Sequence, residues 1–270
     1  FTIIPVAASL LLSFTSYNMI QMPKFIFMQN YIQLFLTDEL FIIALKNTMI
    51  FAIATGPGSY FISLITAWFL NELSPRARSI VTFIFYAPSI SGNAMLVWTL
   101  AFSGDSYGYV NGWLMKLGII SEPILWFTNT KYIMPLCIVV SLWMSLGTSF
   151  LAFIAGFQGI NHDMYEAAAI DGIKNRWQEL WYVTLPSMKP QLMFGAVMAI
   201  TGAFNFGGVV ESLAGNPTTD YCAYTLTMHL NEYSGVRWEV GYASAIAFIM
   251  FLLMFGSNML IHKLLSKVGQ

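Results

Sequence analysis

Residues 132–157 read YIMPLCIVVSLWMSLGTSFLAFIAGF and hold no charged side chain. A helix needs about 20 predominantly apolar residues to cross the hydrocarbon core of a bilayer, so this stretch reads as a spanning segment. Comparable segments recur on both sides of it. Six candidates emerge, at roughly 1–17, 41–70, 77–102, 132–157, 190–211 and 240–262. Only 9% of the 270 residues are charged, 57% are hydrophobic and the mean hydropathy is +0.66, whereas a soluble domain carries about 25% charge. The expected fold is an all-α integral membrane protein of six transmembrane helices, forming one transmembrane domain over residues 1–270. In the second span, Thr55-Gly56-Pro57-Gly58 is expected to kink the helix, because Pro lacks a donor and Gly resists helix. A kink is tolerated in lipid where neighbouring helices cover the freed carbonyls, which favours a packed bundle.

With six spans both termini fall on one side. Arg76, Arg78, Lys174, Arg176, Lys189, Lys263 and Lys267 lie on that side, and Lys24, Lys46, Lys116, Lys131 and Arg237 on the other. The asymmetry is small and points to cytoplasmic termini. Trp113, Trp126, Trp177, Trp181 and Trp238 sit near span ends, as interfacial aromatics do. A net charge of −1 supplies no field for nucleic acid, so no nucleic-acid partner is expected. Cys137 and Cys222 read as small packed hydrophobes, and His162, His229 and His262 have no second ligand at metal spacing, so no metal site is expected. The chain opens at Phe1 without an initiator Met, and further residues are expected upstream.

The polar segment 158–189 stands between two of the most apolar stretches. Asp163 is placed to cap a helix, with Glu166 reaching back to the cap. Ala167, Ala168 and Ala169 give high helix propensity with little bulk, and Gly172 stands where a helix turns left-handed and stops. A second amphipathic stretch carries Trp177, Leu180, Trp181 and Leu185 at helical spacing before Pro186 and Pro190 break it. From the residues alone the segment is either a docking surface or a passive loop.

Glu166-Ala167-Ala168, Asp171-Gly172 and Leu185-Pro186 together resemble the EAA motif in the membrane (permease) subunits of bacterial ATP-binding-cassette (ABC) importers. In that family the short helix is a cytoplasmic coupling helix, docked in a groove of the ATPase subunit, with the motif's Glu and Gly at the contact. The resemblance therefore implies ATPase-coupling roles for Tyr165, Glu166, Ala167, Ala168, Asp171 and Gly172. It also implies a second homologous permease subunit, a dimer of ATP-binding-cassette ATPase subunits binding ATP and Mg, an extracytoplasmic solute-binding protein, and a place in the bacterial cytoplasmic (inner) membrane. No phosphate-binding loop of the GxxxxGK[ST] form and no HExxH occurs in this chain, so hydrolysis is expected in the partner.

Tyr86-Ala87-Pro88-Ser89, Gly108-Tyr109-Val110-Asn111, Trp126-Phe127, Phe204-Asn205-Phe206 and Gly215-Asn216-Pro217 resemble the carbohydrate-uptake branch, the maltose and glycerol-phosphate type. The family usually has Gly-Gly-Pro at the last of these. A sugar site needs hydroxyl and amide groups beside apolar or aromatic faces. Thr201 and Asn205 are expected to share a face of the fifth span, and Ser145 and Thr148 a face of the fourth. The resemblance implies substrate contact at Met144, Ser145, Thr148, Thr201, Phe204 and Asn205. The bland alternative is that these groups mend helix–helix contacts. Glu211 either lines a solute path or reaches the interface, and Tyr242, Ser244 and Asn258 have no assigned role. The competing readings are an importer for a non-sugar solute, a secondary transporter, for which deep ionisable residues would be expected, and a membrane enzyme, for which a nucleophile or metal constellation would be.

Overall fold

The computed structural model describes residues 3–265. Phe1, Thr2 and residues 266–270, Lys267 among them, lie outside the described residues. In chain order the helices are α1 Ile3–Leu12, α2 Gln29–Leu36, α3 Glu39–Asn71, α4 Pro75–Ile90, α5 Ala94–Ala101, α6 Tyr109–Lys116, α7 Thr130–Met144, α8 Thr148–Gln158, α9 His162–Ile170, α10 Arg176–Glu179, α11 Leu185–Ser187, α12 Lys189–Phe204, α13 Gly207–Ala214, α14 Leu226–Asn231 and α15 Val240–Leu265. One π turn, Leu180–Thr184, joins α10 to α11, and another, Glu232–Val236, follows α14. Among the described residues there is no strand, only an isolated bridge between Thr15 and Phe25.

The protein is an all-helical membrane chain. Three stretches are long and apolar enough to cross a bilayer: α3, residues 130–158 and α15. The pairs α4/α5 and α12/α13 qualify as two more if each is taken as one interrupted span. At the N-terminus, α1 stops at Leu12 and is shorter than the expected 1–17. The cause is local: the Ser13 and Thr15 hydroxyls donate to Leu10 O (2.6 Å) and Leu12 O (2.8 Å), and such bonds compete with the helical ladder. Asn30 then takes the Ser13 and Thr15 carbonyls at 2.8 and 3.0 Å. Three expected spans are interrupted near the middle, at residues 91–93, 145–147 and 205–206. Each interruption carries Ser, Gly or Asn, residues that favour turns. By contrast α3 runs unbroken through Pro57, and the Ser59 hydroxyl donates to Gly56 O at 3.0 Å.

The chain divides into two compact units. The first comprises Phe1–Ile53, Asn93–Ser141 and Ala203–Phe255. Buried amides and hydroxyls hold its loops. Asn47 donates to the carbonyls of Tyr221 and Tyr224, both at 3.0 Å, and the Leu226 amide donates to Thr48 Oγ1 at 2.9 Å. Phe51 stacks on Phe206 with centroids 5.0 Å apart. The second unit comprises Ala54–Gly92, Leu142–Gly202 and Gly256–Gln270. Its core is apolar, with Ala67, Leu146, Phe150, Phe153, Met188 and Leu192 buried together. There α8 lies close against α12: a Cβ at Gly195 would collide with the Phe153 ring, and the Ser149 hydroxyl donates to Gly195 O at 3.1 Å.

Candidate functional site

The polar segment forms its helix, with a different cap. Asn161 rather than Asp163 is the N-cap of α9, its side chain accepting from the Asp163 amide at 3.2 Å. Asp163 sits inside the first turn, where its charge suits the helix dipole. The expected Asp163–Glu166 box is thus replaced by a cap two residues earlier. An amide oxygen there does the same work as a carboxylate, and Glu166 remains exposed.

The far end of α9 closes as a Schellman motif. Ile173 N donates to Ala168 O at 3.0 Å and Gly172 N to Ala169 O at 3.3 Å. Gly172 adopts φ +95°, the conformation a glycine accepts most readily. Ala168 is buried, while Glu166, Ala167, Ala169, Asp171 and Gly172 are exposed. The product is a short rigid helix with a small, open face. Tyr165 is half-buried, its hydroxyl 3.2 Å from that of Thr184, and burial pushes its pKa up, with the neighbouring Glu179 and Glu72 adding to the shift against the pull of Thr184 and Arg176.

Asn175 caps α10 by accepting from the Gln178 amide at 2.9 Å. The π turn then adds a residue to the helical cycle. This alters the expected stripe of Trp177, Leu180, Trp181 and Leu185. Leu185 is buried and Leu180 half-buried against the core, but Trp177 and Trp181 are exposed. The stretch ends as expected between Pro186 and Pro190: α11 stops at Ser187, Met188 is the break, and Pro190 stands in the first turn of α12, where the missing N–H costs nothing.

Of the proposed substrate positions, Met144, Ser145 and Thr148 flank the interruption at residues 145–147. Ser145 and Thr148 therefore do not share a continuous helical face. The Ser145 hydroxyl donates to Leu142 O at 2.7 Å, and its carbonyl accepts from Gly147 N (2.7 Å) and Ser63 Oγ (3.4 Å). Thr148 is exposed at the first turn of α8. Thr201 donates to Val197 O at 2.9 Å. Asn205 lies beyond the end of α12, exposed, so the expected helical register with Thr201 does not hold. Phe204 is 3% exposed, packed in the core of the first unit, with its carbonyl accepting from Thr227 Oγ1 at 3.2 Å. Thr148 and Asn205 are thus available to a ligand and Met144 is half-buried, whereas Phe204 is committed to packing.

Two clusters in the first unit escaped the sequence reading. Asn111 is fully buried, donating to the carbonyls of Ser103, Asp105 and Ile124 at 3.0, 3.1 and 3.0 Å and accepting from Ile124 N at 3.2 Å and Trp126 Nε1 at 2.9 Å. It ties together the quoted Gly108-Tyr109-Val110-Asn111 and Trp126-Phe127 pieces. The second cluster gives Tyr242 a role: its hydroxyl donates to Asp38 Oδ2 at 2.7 Å, which His229 Nε2 also meets at 3.0 Å. Asp38 Oδ1 in turn caps α3 through the Phe41 amide at 2.9 Å. Burial pushes the Asp38 carboxyl up, but hydrogen bonds from Tyr242 and Phe41 and the neighbouring His229 bring it net below its ordinary value. Burial holds His229 below its ordinary value despite Asp38. The pair is therefore a carboxylate accepting from a neutral imidazole, with His229 Nδ1 buried and lacking a partner. No local motif announces this cluster, because its three residues are far apart in sequence.

Residues 26–269 match the family model described as "Binding-protein-dependent transport system inner membrane component". The probable ABC transporter permease protein YesP of Bacillus subtilis (strain 168) is 34% identical over 260 residues, covering 94% of this chain and 82% of that protein. The lactose transport system permease protein LacF of Rhizobium radiobacter is 29% identical over 263 residues, covering 94% and 85%. Among solved structures, a bacterial alginate ABC transporter in complex with an alginate pentasaccharide-bound periplasmic protein contains a chain of the same fold, with TM-score 0.78 and 23% identity, covering 100% of this chain and 91% of that one.

Proposed function

The chain belongs to the family of inner membrane components of binding-protein-dependent transport systems, and from that membership we propose that it is one half of an ATP-driven import pore for a sugar or oligosaccharide. The observation that carries the coupling half of the reading is α9: a stiff helix with exposed Ala167 and Ala169, closed by a left-handed Gly172. Such a surface lets a partner approach the backbone closely. In this reading Tyr165, Glu166, Ala167, Ala168, Asp171 and Gly172 engage a separate ATPase dimer, which binds ATP and Mg. A second permease completes the pore, and an extracytoplasmic solute-binding protein delivers the solute. Segment 158–189 and both termini face the cytoplasm, and six spans cross the membrane.

Closure of the ATPases on ATP would displace α9 and shift the bundle between outward-open and inward-open packings. Work enters through differential binding of the two states, so this chain catalyses nothing itself. The names of relatives such as the lactose permease support a carbohydrate cargo. Met144, Thr148 and Asn205, with the hydroxyls of Ser145 and Thr201 nearest them in sequence, are the groups proposed to meet it; Phe204 shapes the site by packing.

The test is mass spectrometry of what co-purifies with the tagged chain in mild detergent. The unaltered chain is expected to bring an ATPase subunit and a second permease. Glu166→Lys is expected to lose the ATPase and keep the permease. Retention of the ATPase by Glu166→Lys with normal transport removes the coupling role, and a chain that emerges alone across several detergents points to a secondary transporter.

A further inference from the structure

Arg176 follows the coupling segment and reaches two carboxylates. Its Nη1 meets Glu179 Oε1 and Oε2 at 2.8 and 3.1 Å, and its Nη2 meets Glu72 Oε2 at 3.0 Å. Glu72 belongs to the turn between α3 and α4, more than a hundred residues away in sequence. The same turn is closed from the other side by Arg78, whose Nη2 donates to the carbonyls of Asn71 (2.9 Å) and Leu73 (3.1 Å). Beneath the charges, Trp177 packs on Trp68 of α3 with centroids 4.8 Å apart. On the α9 side, the Tyr165 hydroxyl lies 3.2 Å from Thr184 Oγ1, which donates to Glu179 O at 3.2 Å. The contacts are therefore continuous from α9, through Thr184 and Glu179, to Arg176 and the end of α3. All of these groups belong to the second unit.

Exposed ion pairs of this kind add little stability, so thermodynamic bracing is a poor account of three charges and two indoles brought to one place. A guanidinium shared between two carboxylates does fix register, because its planar fork accepts few geometries. We infer that Glu72, Arg176 and Glu179, with Trp68 and Trp177, form a staple through which displacement of the coupling helix is passed to the α3–α4 turn. This rests on the coupling reading above and adds a second mechanical outlet to it. The first outlet is the chain itself, running from α9 through α11 into α12. The staple drives α3 and α4 at the same time. Arg176, Glu72 and Glu179 are positioning residues in this scheme and touch neither solute nor nucleotide.

The test uses the co-purified complex with Cys137 and Cys222 changed to Ala and nitroxide labels at Ser74→Cys and Lys174→Cys, both exposed. The spin–spin distance is measured without nucleotide and with MgATP plus vanadate. The unaltered staple is expected to give one narrow distribution that nucleotide leaves in place. Glu72→Arg, which repels Arg176, should broaden and shift the distribution on nucleotide binding while the melting midpoint stays unchanged. The triple reversal E72R/R176E/E179R rebuilds the triad with opposite signs and should restore the narrow distribution. A Glu72→Arg complex that stays narrow and insensitive to nucleotide overturns the staple, as does a triple reversal that fails to restore it. Glu166→Lys run in parallel separates the two ideas. If that variant keeps its ATPase, the coupling reading has failed; if it loses the ATPase while Glu72→Arg behaves as unaltered, the staple alone has failed.

Discussion

Replacing Gly172 tests the segment where geometry is most demanding. At φ +95° a non-glycine residue strains its backbone, at a cost of about 1–2 kcal/mol for an L-residue in the left-handed region. No atom lies within 4 Å of a Cβ built there, so the strain is conformational and not a clash. Alanine also stiffens the disordered chain, which returns about 0.4–1 kcal/mol. The net loss for Gly172→Ala is therefore on the order of 1 kcal/mol, roughly fivefold in the population with the helix end closed. Asparagine tolerates this region better than alanine, and β-branched valine much worse. The amide to watch is that of Ile173, whose bond to Ala168 O closes the end of α9. Hydrogen exchange followed by mass spectrometry should show it exchanging about fivefold faster in Gly172→Ala. Exchange should be slower than that in Gly172→Asn and faster in Gly172→Val, with ATPase retention falling in the same order. Full protection of Ile173 in Gly172→Ala, or an asparagine variant worse than the alanine, would refute the reasoning.

Gly195→Ala should destabilise the protein by about 1–3 kcal/mol, because its methyl meets the buried Phe153 ring. Gly156→Ala meets the flexible end of Met188 at 2.8 Å and the Cβ and Cγ of Gln191 at 3.2 Å, less severe than a ring at Gly195, and should cost less; equal shifts in thermal midpoint would contradict this. His229 is held below its ordinary value near 6.5, so the unfolded chain takes up the proton first and stability is lost as pH falls through that value. The lowered Asp38 adds a loss in the same direction below its ordinary 3.8. Melting in detergent across that range checks the slope, and His229→Gln should remove the part that sets in as pH falls through about 6.5. Asn205→Ala should lower uptake of whichever sugar the intact complex accumulates without loss of assembly. Phe204→Ala should instead cost about 3–5 kcal/mol and lower the yield of complex, because that ring is core.

The membrane class was legible because it rests on composition, and the ends of α3 and α15 fell within a few residues of expectation because long apolar runs between polar turns are strong signals. The interruptions at residues 91–93, 145–147 and 205–206 were not seen. A hydropathy window averages over a single Ser-Leu-Gly or Asn, whereas the helix ends where one hydroxyl or amide finds a better partner, as Ser145 does. The same averaging hid the early end of α1. Around the coupling segment, Gly172 was readable because a left-handed stop has a residue signature. Asn161 was displaced by Asp163 because both are good caps two positions apart and sequence does not rank them. The π turn at residues 180–184 left no signature in the sequence. Long-range pairs such as Asp38 with His229, or Glu72 with Arg176, depend on the completed fold.

Both units have an apolar core, but the first also fastens its loops with buried amide hubs, and the difference bears on what can slide within the second. In the first, one amide at Asn111 serves three carbonyls, a backbone amide and an indole, and Asn47 and Asn30 each hold two carbonyls. Hydrogen bonds are directional, and leaving any of these buried groups unpaired is costly, so each hub has one acceptable geometry. In the second, the core under the coupling segment is built from Phe150, Phe153, Phe157, Met188 and Leu192. Apolar burial is non-directional, and methionine refills gaps when its neighbours slide. Small shear in such a core costs little so long as the surface stays covered. The π turn beside it is a helical cycle with one residue more than usual, a local irregularity of the kind found at functional sites. Register at that end must then come from the periphery, where the shared guanidinium of Arg176 supplies the directionality that the core lacks. A core free to slide beneath a turn held in register can pass a displacement along without losing burial.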